Sequence, residues 1–227
     1  MLGIEVKRMV EFKAAYTSLW PERERYWPEV IFHGKRGTPK GMAQFTPYPG
    51  GYVQLHGMSE DITLFKGGLA RSEDGKAQPK LPDKFLGLIE KGWPHELIES
   101  RTKRAVEFAA RFMPPFLAAK PGGPPLFGAQ QIPGEDPTLR VAEVSFDRPR
   151  YARCEIVKVS SVTDMAEAIV EDLIAERLCD SKLSNWNGTS LFEQIDEKSI
   201  GLKAANIAKS RGYPEDMAAL NIDSEDI

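Results

Sequence analysis

The sequence predicts an α+β fold, a mixed, largely antiparallel sheet with flanking helices. Three observations point there. Short β-type runs cluster early in the chain and are joined by turn residues, not by helices. Seventeen prolines and nineteen glycines punctuate the 227 residues, so the elements are short. The strands cluster with hairpin turns, and no regular strand–helix alternation sets up a parallel sheet.

The elements follow in order. IEVKRMVEF, residues 4–12, reads as a strand. EVIFH, residues 29–33, reads as a second, after the aromatic and charged stretch LWPERERYWP. GMAQFTPYPGGYVQLHG, residues 41–57, reads as a hairpin whose return uses Gly50 and Gly51 at positive φ. Ile62 to Phe65 is a further short strand. Residues 66–83 are polar, with Gly and Pro, and read as a loop.

Residues 84–113 read as helix. Val106, Ala109, Ala110 and Met113 share a face, Ser100 is the expected N-cap, and Pro114-Pro115 stops the helix. KPGGPPLFGAQQIPGEDP reads as a long turn-rich passage. Val141 to Phe146 and Ala152 to Val159 (ARCEIVKV) are strands. Ser160-Ser161 joins the latter to a helix over VTDMAEAIVEDLIAERL, with Met165, Ile169 and Leu173 on one line. Ser161 and Asp164 have capping-box spacing. A last helix, Ser199 to Arg211, is closed by Gly212 and Pro214.

Composition narrows the function. Lys plus Arg is 30 and Asp plus Glu is 33, a net charge of -3 with no basic block, so no nucleic-acid partner is expected. No apolar stretch reaches the roughly 18 residues of a membrane span. The longest, Ala105 to Ala119, is broken by Arg111, Pro114 and Pro115. Two cysteines make neither a disulfide scaffold nor a metal cluster, and no metal site is expected. With a charged N-terminus in place of a signal core, a cytoplasmic location is the expectation. The chain has no G-x-G, P-loop, C-x-x-C, H-E-x-x-H or G-x-S-x-G.

Three places hold candidate site residues. His56 ends a strand beside Gly57, where a glycine permits close approach; it is either a hydrogen-bonded brace or a substrate contact. Ser160 and Ser161 stand where a helix N-terminus presents N–H groups; they either cap the helix or help it hold a polarised oxygen. Gly128, Gln130 and Gln131 lie in a Gly- and Pro-framed passage. The glutamine amides would meet loop backbone or a heteroaromatic ring with matching donors and acceptors.

These segments together resemble the C-terminal half of FAD-dependent oxidoreductases of the D-amino-acid oxidase type. PLFGAQQIPGEDP and YARCEIVKVSS carry the likeness, which spans residues 1 to about 178. It implies that ARCEIVKV-SS-VTDMAEAIVEDL is the strand and helix returning to the flavin, and that the hairpin at 41–57 belongs to the substrate lobe. FMPPF with PLFGAQQIPGEDP matches the region where such enzymes carry G-x-R-P-x-T-x-D-G-x-P beside the ring. Here Gln130 and Gln131 stand in place of the Arg-Pro, and the Asp-Gly-x-Pro order is not kept.

The resemblance implies FAD as cofactor, with Gly128, Gln130, Gln131, Ser160 and Ser161 toward it and His56 toward a small-molecule substrate; it identifies no catalytic residue. The implied reaction is oxidation of a small amine- or hydroxy-type carbon by hydride transfer to flavin. The Rossmann-like FAD lobe is lacking. Residues 1–178 are therefore expected as the flavin-capping lobe, and 179–227 as a small polar helical appendage. The chain alone is expected to be inactive, and to meet a missing N-terminal lobe or to self-associate. The alternative is a non-catalytic binding or interaction domain derived from such a lobe.

Overall fold

A computed structural model describes residues 9–21, 27–35, 42–57, 62–65, 70–132, 143–155, 162–180 and 196–219. The central strand is β1, Met9–Leu19, which is bonded along both edges. One edge takes β4 (Tyr52–Gly57) at Tyr16 to Leu19 and β5 (Thr63–Phe65) at Phe12 and Lys13. The other takes β9 (Leu126–Ile132) from Met9 to Ala15 and β8 (Lys120–Pro121) at Ser18 and Leu19. β3 (Met42–Pro47) pairs with β4, and β2 (Val30–His33) with β3. All these pairings are antiparallel, as the sequence predicts for most of the sheet. The first strand runs on to Leu19, well past residue 12; residues 4–8 lie outside the described residues. Its second half, KAAYTSL, becomes strand because partners on both sides satisfy its backbone groups.

The expected hairpin is present. A 3-10 turn, Pro49–Gly51, joins β3 to β4, with Gly50 at φ 73° and Gly51 at φ 77°. A Cβ on Gly51 would stand 3.0 Å from the Trp20 carbonyl oxygen, so this corner also needs the missing side chain for space.

Two expectations are corrected. The polar stretch 66–83 is not a loop throughout. β6 (Ala70–Glu73) and β7 (Lys76–Pro79) form a separate hairpin across Asp74 (φ 50°) and Gly75 (φ 74°). An Asp-Gly pair with both φ angles positive matches the twist of a two-residue turn. The single helix over 84–113 is two: α1, Asp83–Glu90, and α2, His95–Ala109. Gly92 at φ 84° and Pro94 separate them. Ser100 is thus no N-cap. It lies inside α2, where its Oγ donates to the Leu97 carbonyl at 3.3 Å. The helix also ends at Ala109, short of the expected residue 113, and Pro114 opens a separate 3-10 turn, Pro114–Ala118.

The helices cover one sheet face. Residues opposite each other in a ladder share a face. On this face Tyr16, Phe45, Val53 and Leu55 are buried, and α2 adds Val106 and Ala109. Phe116 closes the packing edge-on to Trp20 and Phe45, with ring centroids 5.1 and 5.0 Å apart. A neighbouring cluster joins Phe12, Leu81 and Phe85. Arg101 of α2 reaches down between them and donates to Tyr16 Oη at 3.0 Å.

Later in the chain, β10 (Glu143–Arg148) and β11 (Tyr151–Glu155) form a hairpin turning at Arg150 (φ 59°). Both strand expectations are met within the described residues; residues 156–161 lie outside them. The helix α3, Val162–Ala175, follows and buries Met165. It ends before the expected Leu178, with Arg177 at φ 56°. The last helix, α4, Glu197–Ser210, starts before Ser199. Asp196 caps it by accepting from the backbone N–H groups of Lys198 and Ser199 at 3.3 and 3.1 Å. Gly212 (φ 75°) and Pro214 close it as expected.

Among the described residues no helix is long and apolar enough to cross a membrane, and no cluster of His, Cys, Asp and Glu could hold a metal ion. Cys154 and Cys179 form no disulfide.

Candidate functional site

The sheet face away from α1 and α2 carries a polar strip, bordered by Ile31 opposite Gln44 and Leu19 opposite Tyr52. By register it carries Thr17, Gln54 and Thr46 in one row and His56 and Gln44 in the next. Alternation along β3 and β4 places apolar residues toward the helices and these amides, hydroxyl and imidazole on the other side. Gln44, Thr46, Gln54 and His56 are each half-buried.

Neighbouring side chains tie the row together. Tyr48 Oη donates to Gln54 Oε1 at 3.0 Å. Gln44 Nε2 donates to the Glu29 carboxylate and, at 3.4 Å, to Thr46 Oγ1; Thr46 Oγ1 donates to Glu29 at 3.5 Å. Burial pushes the Tyr48 phenol above its ordinary value, and the nearby Glu29 charge adds to this. Tyr48 is therefore a hydroxyl donor throughout the neutral range.

One end of this face is closed. The turn at 122–125 crosses it, and Thr17 Oγ1 donates to the Pro124 carbonyl at 3.0 Å. The C-terminal segment lies over that turn. Tyr213 Oη donates to the Pro125 carbonyl at 2.7 Å, and a Cβ on Gly123 would stand 3.2 Å from Pro214 Cδ. Burial, then the Asp216 charge, raises the Tyr52 phenol at this end. β4 runs from Tyr52 at the closed end to His56 away from it.

The candidate residues separate into three groups. His56 stands opposite Gln44 in the β3–β4 ladder. Gly57 beside it does allow a close approach, but by the protein itself: a Cβ there would lie 3.0 Å from the Met42 carbonyl oxygen and 3.1 Å from Phe108 Cε1. Gly128, Gln130 and Gln131 are not in a loop. They belong to β9, opposite Lys13, Glu11 and Val10 of β1. The reason is backbone pairing: β1 offers an unbroken edge from Met9 to Ala15, and residues 126–132 fill it. Gly128 is exposed, and among the described residues nothing lies within 4 Å of where its Cβ would be. Ser160 and Ser161 lie outside the described residues.

Sequence reasoning did not single out Gln44, Thr46, Gln54 or Tyr48. The signal was present, since β3 and β4 alternate polar with apolar, and the polar set gathers on the face the helices do not cover. No protein-family model, no curated protein and no solved structure matches this chain.

Proposed function

We propose that this chain is the sheet lobe of an FAD-dependent oxidoreductase of the D-amino-acid oxidase type, acting on a small amine- or hydroxy-type substrate. The carrying observation is the half-buried polar face around Gln44, Gln54 and His56, left uncovered by α1 and α2. A planar heteroaromatic ring with a polar edge, or a small polar substrate, needs such a surface: preset donors and acceptors at restricted water access. Gly128 also fits the group, because among the described residues nothing lies within 4 Å of where its Cβ would be, which leaves room for a ring to approach.

Bound flavin supplies the hydride acceptor. The chain's own residues orient and exclude. The Gln54 amide, whose oxygen accepts a hydrogen bond from the Tyr48 hydroxyl, presents its donors in a fixed orientation. Gln44 is held by Glu29 and Thr46. His56 contributes an imidazole to the substrate side. The chain has no glycine-rich pyrophosphate turn, so the ADP half of the cofactor is held by another lobe.

The test is titration of the chain with riboflavin, FAD and ADP, followed by flavin absorbance and fluorescence. Riboflavin and FAD are expected to respond alike and weakly, with no competition from ADP. A double substitution, Gln44→Ala with His56→Ala, abolishes the response without unfolding the chain. Displacement by ADP, or silence with both flavins, overturns the reading. In the second case the chain is the non-catalytic interaction domain instead.

A further inference from the structure

A cleft of about 360 Å³ opens on the helix side of the sheet, between β5, α1 and α2. This is the lower part of the roughly 300–1,000 Å³ range of small-molecule sites. Leu64, Phe85, Leu88 and Leu97 supply an apolar lining. Phe85 belongs to one of two core clusters and Leu64, Leu88 and Leu97 pack against them; the clusters also hold Phe12, Tyr16 and Trp93, so the wall is backed by close-packed core.

The charged residues of the lining, among the described residues, are Lys84 and Arg101, both cationic. This runs against the chain's net charge of -3. Each cation has a partner in the wall. Lys84 Nζ lies 4.7 Å from the centroid of the Phe85 ring, which keeps the ammonium over the apolar wall. Arg101 is half-buried, and its Nη1 donates to Tyr16 Oη at 3.0 Å. Tyr16 is fully buried, so the guanidinium is anchored to the core. Anchoring removes much of the rotamer entropy that an arginine loses on gripping a ligand.

From this pairing of an apolar wall with two held cations, we propose that the cleft binds a small amphiphilic anion, a monocarboxylate with an apolar tail. The tail lies along Leu64, Leu88 and Leu97. The carboxylate sits between the Arg101 guanidinium and the Lys84 ammonium. A neutral molecule gains only the apolar contacts, and a cationic one meets like charge. The cleft lies on the helix side of β1, away from His56 and Gln44, so the site is independent of the flavin-facing surface.

The experiment is calorimetric titration of the full chain with octanoate, octanol and octylamine. Octanoate is expected to saturate at one equivalent. Octanol is expected to bind at least about tenfold more weakly, because hydrogen bonds to charged groups are lost. Octylamine gives no saturable signal. Lys84→Gln, at an exposed position, weakens octanoate about twofold to fivefold and leaves octanol unchanged. Arg101→Gln weakens octanoate about tenfold or more; circular dichroism checks that loss of the Tyr16 contact leaves the fold in place. Equal binding of octanoate and octanol overturns the proposal. So does absence of saturable octanoate binding by the unaltered chain, or octanoate affinity that Lys84→Gln leaves unchanged.

Discussion

Tyr213 Oη donates to the Pro125 carbonyl oxygen at 2.7 Å, across 88 residues of sequence. The bond fastens the C-terminal segment to the turn that feeds β9. It also lies above Thr17, whose hydroxyl holds the preceding residue, Pro124. Tyr213→Phe leaves that carbonyl without its donor while keeping the ring. The expected loss is about 0.5–1.5 kcal/mol, read as a lower urea midpoint at unchanged slope. A midpoint equal to that of the parent would show the contact to be dispensable.

Alkaline pH should loosen the same region. Burial comes first in raising the phenols of Tyr48, Tyr52 and Tyr213 above their ordinary value of 10.0. Below that value both folded and unfolded chains keep these protons, and stability is insensitive to pH on their account. Above it the unfolded chain releases protons first, so stability falls as pH rises toward the folded-state values. Urea midpoints measured from pH 8 to 11 should decline above about pH 10, and the decline should be shallower in the Tyr48→Phe, Tyr213→Phe double variant.

Gly122 crosses the backbone of β1 with no room for a side chain. A Cβ there would stand 2.8 Å from the Ser18 carbonyl carbon and 2.9 Å from the Leu19 nitrogen. Backbone atoms in a central strand do not yield as a side-chain tip does. Gly122→Ala is therefore expected to cost about 1–3 kcal/mol through displacement of β8. Gly128→Ala in the open part of β9 should be tolerated within about 0.5 kcal/mol. Equal effects at the two glycines would contradict the close approach.

Phe116 and Leu117 are adjacent and have opposite fates. Phe116 is fully buried against Trp20 and Phe45, whereas Leu117 is 62% exposed. Phe116→Ala should cost about 3–5 kcal/mol, and Leu117→Ala about 0.5 kcal/mol or less. Thermal unfolding of the two variants decides it; similar midpoints would place Phe116 outside the core.

The α4 cap should be acid-labile. Hydrogen bonds from the Ser199 side chain and backbone, with a smaller contribution from the Lys198 N–H, hold the Asp196 carboxyl below its ordinary value. Its contribution is present above the unfolded value and is lost as pH falls through the folded one. Asp196→Ala should speed amide exchange at Lys198 and Ser199 at neutral pH. The parent and variant rates, corrected for intrinsic exchange, should converge in acid.

Much of this molecule is written in short stretches of its sequence. PYPGG makes the β3–β4 return because glycines supply positive φ wherever they stand. The turn that Pro114 opens after α2 and the end of α4 at Gly212 are equally local. Asp74-Gly75 is just as legible as a hairpin turn, and Gly92 to Pro94 as a helix break. The polar alternation in β3 and β4 also marks a two-sided sheet.

What local signals could not supply was the partner of each strand. LFGAQQI carries adjacent amides and a glycine, a poor strand by its own preferences. It becomes β9 because β1, more than a hundred residues earlier, holds an open edge from Met9 to Ala15. Pairing energy is shared between segments and belongs to neither one. The same holds for the two surfaces that matter most. Lys84, Arg101 and Leu64 come from separate elements, and only the packing of α1 and α2 over β5 brings them around one cleft. Turn and cap chemistry acts over a few residues and is determined by sequence alone. Strand register and cleft lining depend on contacts between distant segments, which the tertiary structure decides.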